Sequence, residues 1–255
     1  MKLTEKTYWE EHWKTVKLPL ETKHEDNFLL DKILEVFDLY LKPSKNKTIL
    51  EIGGAPGQFL VYMKKKFGYK IYAMEYSEVG CKKIEDNLEY FGMQGTILTR
   101  DIFSNLDDLP KFDVVYSLGF IEHFSDLELI IKKHLDLIRP NGILIVGCPN
   151  FGGLNKLIMT LTSPKRFKGH YLSSMNLKNW EVVEKNLEIS PIFKGYIGGF
   201  EPKMFSCEKK NPISLFLYGL LFLTRILVTD RFKIFRNLNS KYFSGYLISV
   251  YKKVD

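Results

Sequence analysis

Residues 49–60 read Ile49-Leu50-Glu51-Ile52-Gly53-Gly54-Ala55-Pro56-Gly57-Gln58-Phe59-Leu60. A β-type run, Lys47–Ile52, enters a glycine-rich turn, and a helical pattern over 57–67 leaves it. Glycine lets the backbone approach a ligand closely, and a helix N-terminus offers free N–H groups. The spacing Gly53-x-Ala55-x-Gly57 is not the dinucleotide pattern G-x-G-x-x-G. No Gly-Lys-Ser/Thr follows, so it is not a phosphate loop either.

Outward from this turn the chain alternates. Strands are predicted at Lys70–Met74, Thr96–Thr99, Phe112–Ser117 and Gly142–Cys148. Helices are predicted over 77–91, opened by Ser77, and over 125–138, ending at Arg139-Pro140-Asn141-Gly142. Five strands alternating with helices predict an α/β fold, a parallel sheet with helices on both faces and ligands at the strand C-terminal edge. Before it lie an aromatic helix over 4–17 and an amphipathic helix over 26–41, with Asp26 as its expected cap and Pro43 as its stop. After Pro149 the rhythm breaks: a basic, glycine-containing stretch at 150–175 reads as an insertion over the active edge. A helix over 176–187 and strands near 192–206 and 244–252 follow.

Composition bounds the function. The 255 residues are 45% hydrophobic with formal net charge +7. Cys81, Cys148 and Cys207 have no metal-ligand spacing, which excludes a disulfide framework or zinc module and fits a reducing compartment. No metal is expected. The N-terminus shows no apolar signal region, so the expectation is cytoplasmic. Residues 1–149 carry 20 basic and 23 acidic side chains, whereas 150–255 carry 17 and 7. A basic second half fits an anionic partner or a lysine-rich solvated surface.

The segment 49–60 resembles motif I of class I S-adenosylmethionine (SAM)-dependent methyltransferases, with Ala55 where a middle glycine is common. The resemblance covers roughly residues 30–150, and more loosely the rest. It implies a Rossmann-like fold with a mostly parallel seven-stranded sheet, helices on both faces and a C-terminal helical insertion. It implies one domain over 1–255, with a helical cap at 1–42, a lid at 150–175 and a hydrophobic insertion at 211–238. It also implies SAM as cofactor, with S-adenosylhomocysteine as product, held by Glu51, Gly53, Gly54, Ala55, Gly57, Glu75, Tyr76, Asp101, Ile102, Ser117 and Leu118. In that family Glu75 would accept both ribose hydroxyls, Asp101 the adenine amino group, and Ile102 would pack on the ring. A carboxylate suits two hydroxyl donors because it only accepts.

Phe120-Ile121-Glu122-His123-Phe124 resembles the Glu-His loop of small-molecule and lipid-type methyltransferases. His123 is the expected general base, against a reading in which it only orients the loop. Trp9, Glu122, Asn150, His170 and Tyr171 are the expected acceptor contacts. Trp9, Trp13 and Phe120 would exclude water, unless they are core. The second half also resembles methyltransferases found with bacterial surface-polysaccharide genes, which implies a sugar or lipid-linked hydroxyl as acceptor. Competing readings are an RNA or protein methyltransferase (nucleic acid being less favoured), a nicotinamide-dependent oxidoreductase, and a non-catalytic membrane-associated SAM-binding module.

The apolar run Ile213–Val228 is too short to span a bilayer, which takes about 20 apolar residues. With Arg225, Arg231, Lys233 and Arg236 it reads first as a helix packed on the sheet, next as peripheral membrane contact through 213–236, and last as a dimer face. The oligomeric state stays open.

Overall fold

The computed structural model describes residues 4–24, 27–208, 211–229, 231–232 and 237–253. Seven strands form one sheet in the order β3-β2-β1-β4-β5-β7-β6. They are β1 (Thr48–Ile52), β2 (Lys70–Glu75), β3 (Thr96–Thr99), β4 (Phe112–Leu118), β5 (Ile138–Pro149), β6 (Pro191–Phe200) and β7 (Ser244–Lys252). The first five pair in parallel, and β7 runs antiparallel to both β5 and β6. Strand order reverses between β1 and β4, and there the C-terminal edge opens a crevice.

Alternation along the strands sends side chains to two cores. On one face Leu50, Val115, Leu144, Val146 and Leu247 pack with α5 (Leu127–Leu135), α6 (Gly153–Thr162) and α7 (Leu177–Asn186). On the other, Ile49, Tyr116, Ile145 and Ile248 pack with α2 (Phe28–Tyr40), α3 (Gln58–Phe67) and α4 (Glu78–Tyr90). Helices therefore cover both faces, as period-2 burial in a two-sided sheet requires.

Three local features differ from the sequence expectation. Asp26, the expected cap of α2, lies outside the described residues; Asn27 caps the helix, accepting from the N–H groups of Leu29 and Leu30. The helix expected to run to 138 ends at Leu135, and β5 already starts at Ile138. The pairing of β4 with β5 shifts register between Ile138 and Ile143, where Pro140 cannot donate and Asn141 takes φ 62°.

The third is α8 (Pro212–Thr224), which continues as π-helical turns over Arg225–Thr229. A helix packed into the core would bury its apolar stripe, yet only Ser214 and Leu221 are buried. Lys233 and Arg236, expected on its basic side, lie outside the described residues. Among the described residues no helix is long and apolar enough to cross a membrane.

α1 (Lys6–Thr15) buries no residue and leans on α4, where Lys6 pairs with Glu78 at 3.1 Å. Its aromatic side chains hang over the C-terminal edge of the sheet.

Candidate active site

A cleft of about 750 Å³, open to solvent, lies at that edge. Its floor is Ile52, Gly53 and Ala55 after β1, Met74, Glu75 and Tyr76 after β2, and Asp101 and Ile102 after β3. Leu118, Gly119 and Phe120 after β4 close the far side; Trp9 and Trp13 of α1 form the roof.

The turn after β1 needs glycine for two reasons. Gly53 has φ +70°, and a Cβ there would meet the Phe120 ring at 2.5 Å. Gly54 lies over Glu51, whose Cγ would be 2.8 Å from an added Cβ. Gly54, Gly57 and Glu51 thus stand behind the cleft wall and do not line it. Burial, with the Glu75 charge adding to it, pushes the Glu51 carboxyl up to about 8, against the pull of the Tyr116 hydroxyl. Its Oε2 is buried without a hydrogen-bond partner.

Glu75 does face the cleft. Burial pushes its carboxyl up to about 7, against the pull of the N–H groups of Ser77, Tyr76 and Ala55. Oε1 accepts from the Ser77 N–H at 2.9 Å. This carboxylate therefore joins the turn after β1 to the end of β2. Asp101 Oδ1 accepts from the Phe103 N–H at 3.0 Å at the end of β3.

The donor set fits SAM. Acceptor-only carboxylates at the ends of β2 and β3 suit sugar hydroxyls and a base amino group. Ile52, Met74, Ile102 and Phe124 supply apolar surface for a flat ring, and Trp13 Nε1 is a buried donor with no partner.

Ser117 does not reach the cleft. Its hydroxyl meets His134 Nε2 at 2.9 Å, while His134 Nδ1 donates to the Ile130 carbonyl at 2.7 Å. Burial keeps His134 neutral, lowering its pKa to about 4 against the pull of the Ile130 carbonyl. Ser117 anchors α5 to β4.

His123 lies on the cleft wall, beside Trp9 at 5.0 Å between ring centroids. Its Nδ1 donates to the Gly169 carbonyl at 2.6 Å, which fixes the tautomer and leaves the Nε2 lone pair. Burial, together with His170, lowers its pKa to about 4, although the carbonyls of Gly169 and Gly119 pull it up. His170 packs on His123 at 4.7 Å and on Phe151 at 5.0 Å. The Tyr171 N–H donates to the Glu122 carbonyl at 2.7 Å. Glu122 is buried with Oε2 unpartnered, and burial pushes its carboxyl up to about 8. Glu122, His123 and His170 each offer one ligand atom within 4.8 Å of the others, the group among the described residues that could hold a metal ion. Glu122, His170 and Tyr171 are thus a layer behind His123 and outside the cleft lining.

Asn150 is a correction. Its side chain donates to the carbonyls of Lys241 and Ser244 and accepts from the Gly152 N–H at 3.0 Å. It is buried, joins the ends of β5 and β7, and does not line the cleft. Asn150→Ala is expected to lower stability by about 1–3 kcal/mol, since buried backbone groups lose their partners. Thermal unfolding checks this; a change in ligand affinity at unchanged stability would contradict the placement.

The sequence reading did not assign Thr4, Met74, Arg100 and Phe124, which also line the cleft. Thr4 accepts from Trp9 Nε1 at 3.1 Å, and Arg100 is held by Asp108 in a two-pronged pair. The position of Arg100, next to Asp101 at the end of β3, was the available signal.

A sequence profile for the methyltransferase domain matches residues 22–186. A tRNA U34 carboxymethyltransferase of Ruthia magnifica subsp. Calyptogena magnifica is 28% identical over 150 residues, covering 54% of this chain and 42% of that protein. A ubiquinone biosynthesis O-methyltransferase of Pelagibacter ubique is 25% identical over 111 residues, covering 43% and 45%. The chain spans less than half the length of these curated relatives. Among solved structures, the geranyl diphosphate C-methyltransferase of Streptomyces coelicolor A3(2), with Mg2+, geranyl diphosphate and S-adenosyl-L-homocysteine, superposes with TM-score 0.64 at 9% identity, covering 98% and 97%. That likeness shows the shared fold. None of these three is described as acting on a polysaccharide.

Proposed function

We propose that this chain, which belongs to the methyltransferase-domain family, is an enzyme that transfers a methyl group from SAM to an oxygen of a small-molecule acceptor. The observation that carries the reading is the cleft itself, with Glu75 and Asp101 at successive strand ends and His123 on its wall. The ubiquinone biosynthesis O-methyltransferase among the relatives supports an oxygen acceptor. Bound SAM supplies an electrophilic methyl on a sulfonium and leaves as S-adenosylhomocysteine.

The residues divide the work. With SAM bound, Glu75 would accept from the ribose hydroxyls and Asp101 from the adenine amino group, and Tyr76, Ile102, Leu118 and the backbone of Gly53 and Ala55 would hold the remainder. Trp9, Trp13 and Phe120 keep water from the reacting atoms. His123 accepts the acceptor's hydroxyl proton at Nε2. The imidazolium so formed keeps its bond to the Gly169 carbonyl, and Glu122 is the adjacent group of opposite sign when ionised. Residues 150–175, the expected lid, contribute no side chain to the cleft lining; Gly169 and Tyr171 fasten this segment to the Glu122-His123 turn behind the wall. A sugar or lipid-linked hydroxyl is the proposed acceptor.

The pH dependence of binding follows from Glu75. Hydroxyl donors favour its ionised form, and the free carboxyl titrates near 7. Raising pH from 6 to 8 is therefore expected to tighten SAM binding by about tenfold, with a plateau above. The slope should vanish in Glu75→Gln. Calorimetry across that range checks it.

A second reading, methylation of RNA, is favoured by the basic half and by the tRNA-directed relative. Label transfer from methyl-labelled SAM into a fractionated cell extract separates them. Label in a small, organic-extractable or sugar fraction supports the first reading. Label in RNA, with affinity falling steeply as salt rises, supports the second.

A further inference from the structure

We propose that α6 and α8 together form a docking surface for an anionic lipid bilayer. The polarity of α8 is inverted. Ser214 and Leu221, seven residues apart on one stripe, face the protein, and the Ser214 hydroxyl donates to the Leu161 carbonyl of α6 at 2.7 Å. On the opposite side Ile213, Leu215, Phe216, Leu220, Phe222 and Leu223 are each at least half exposed. At about 100° per residue they cover roughly half the circumference. A water-facing helix carries its polar residues there. α6 extends the patch with Leu154, Leu157 and Leu161, a stripe of one face, exposed by 44%, 60% and 37%.

Charge selects the occupant. Residues 209–242 contain seven Lys and Arg against one acid, Asp230, and residues 153–170 contain four against none. Lys156 on α6, Lys165 just after it, and Arg231 and Lys241 beyond α8 are exposed, with Glu208, which accepts from the Lys165 N–H, as an exposed acid beside them. Two copies meeting through it would bring like charges together, whereas an anionic bilayer offers acyl chains to the leucines and phosphates to the rim. An apolar helix with a basic border supplies the two signals that stable peripheral attachment takes. Length excludes spanning: the 13 residues of α8 with the 5 of its π-helical continuation to Thr229 reach at most about 27 Å, short of the roughly 30 Å hydrocarbon core, and Arg225 interrupts the apolar run.

The patch lies at the edge that carries the cleft. α6 leaves the C-terminal end of β5, and the Leu154 N–H donates to the Tyr242 carbonyl just before β7. Eight residues beyond Leu161, Gly169 holds His123. The patch thus sits on the same sheet edge as the cleft, next to the segment that holds His123, and a bilayer there would let the acceptor arrive from the lipid phase; this last step rests on the methyl-transfer reading.

Flotation of the full chain with phosphatidylcholine–phosphatidylglycerol vesicles tests the surface. The protein should float with them, less at high salt and far less with phosphatidylcholine alone. The double variant Leu220→Glu, Phe222→Glu should lose at least about tenfold of the bound fraction while binding SAM in solution as before. Both positions are half exposed, so folding is not at stake; charge reversal at Lys156 and Lys165 gives an independent second variant. Absence of flotation, or flotation untouched by either variant, overturns the proposal. So does a dimer that the double variant splits without vesicle binding. Flotation with no SAM binding leaves the surface standing and removes the methyl-transfer reading.

Discussion

Glu75→Ala is expected to weaken SAM binding by about 10²-fold or more. β2 ends at Glu75, directly beside β1, and its carboxyl projects into the cleft next to the Ala55 turn. Removing it takes away an acceptor for two ribose hydroxyls. Each charge-assisted hydrogen bond contributes about 1.5–3 kcal/mol, so losing two corresponds to at least two decades in Kd. The variant should also lose some stability, because the Ser77, Tyr76 and Ala55 N–H groups lose their acceptor, so affinity is read at a temperature where the unliganded variant is folded. Isothermal titration against SAM, with the melting temperature of the unliganded variant as control, reads the effect. Unchanged affinity in a folded variant would remove Glu75 from the site.

The second large effect concerns turnover. His123→Ala should lower it by roughly 10²–10⁴-fold if the imidazole takes the acceptor proton, while SAM affinity changes little. The pH profile adds a readout that a structural role would not move. Burial lowers the His123 pKa to about 4, so the ring is neutral and able to accept throughout the neutral range. Its own acid limb is then expected near pH 4, well below the ordinary 6.5. A limb at 6.5 in the wild type, or full turnover in the alanine variant, would assign proton removal elsewhere. Methyl transfer would then proceed by alignment and exclusion of water.

Most of the sheet was readable because burial on both faces leaves near-continuous apolar runs, and glycine or proline punctuates them. The site was readable where it depends on strand ends: Glu75 and Asp101 follow β2 and β3 directly, so their register in the chain is also their place in the cleft. It was unreadable where contacts cross long separations. Asn150 looks like a ligand after a buried strand, yet the carbonyls that consume it belong to Lys241 and Ser244, 91 and 94 residues away. Ser117 is expected to serve the cofactor through its backbone, and the role of its hydroxyl, paired with His134 of the next helix, gives no signal in the sequence. The aromatic stripe of α1 could be core or roof by pattern alone. Its packing on α4, through Lys6 and Glu78, turns Trp9 and Trp13 toward the cleft. For α8, hydrophobicity argued for burial, and the structure places that apolar face outward.

The central claim is that this cleft is built for SAM. One titration tests it most directly: SAM and S-adenosylhomocysteine into the purified chain, with NADH run in parallel. One-site binding of both adenosyl ligands, tighter at pH 8 than at pH 6 and absent for NADH, is the predicted result. Tight NADH binding with no response to SAM would contradict it.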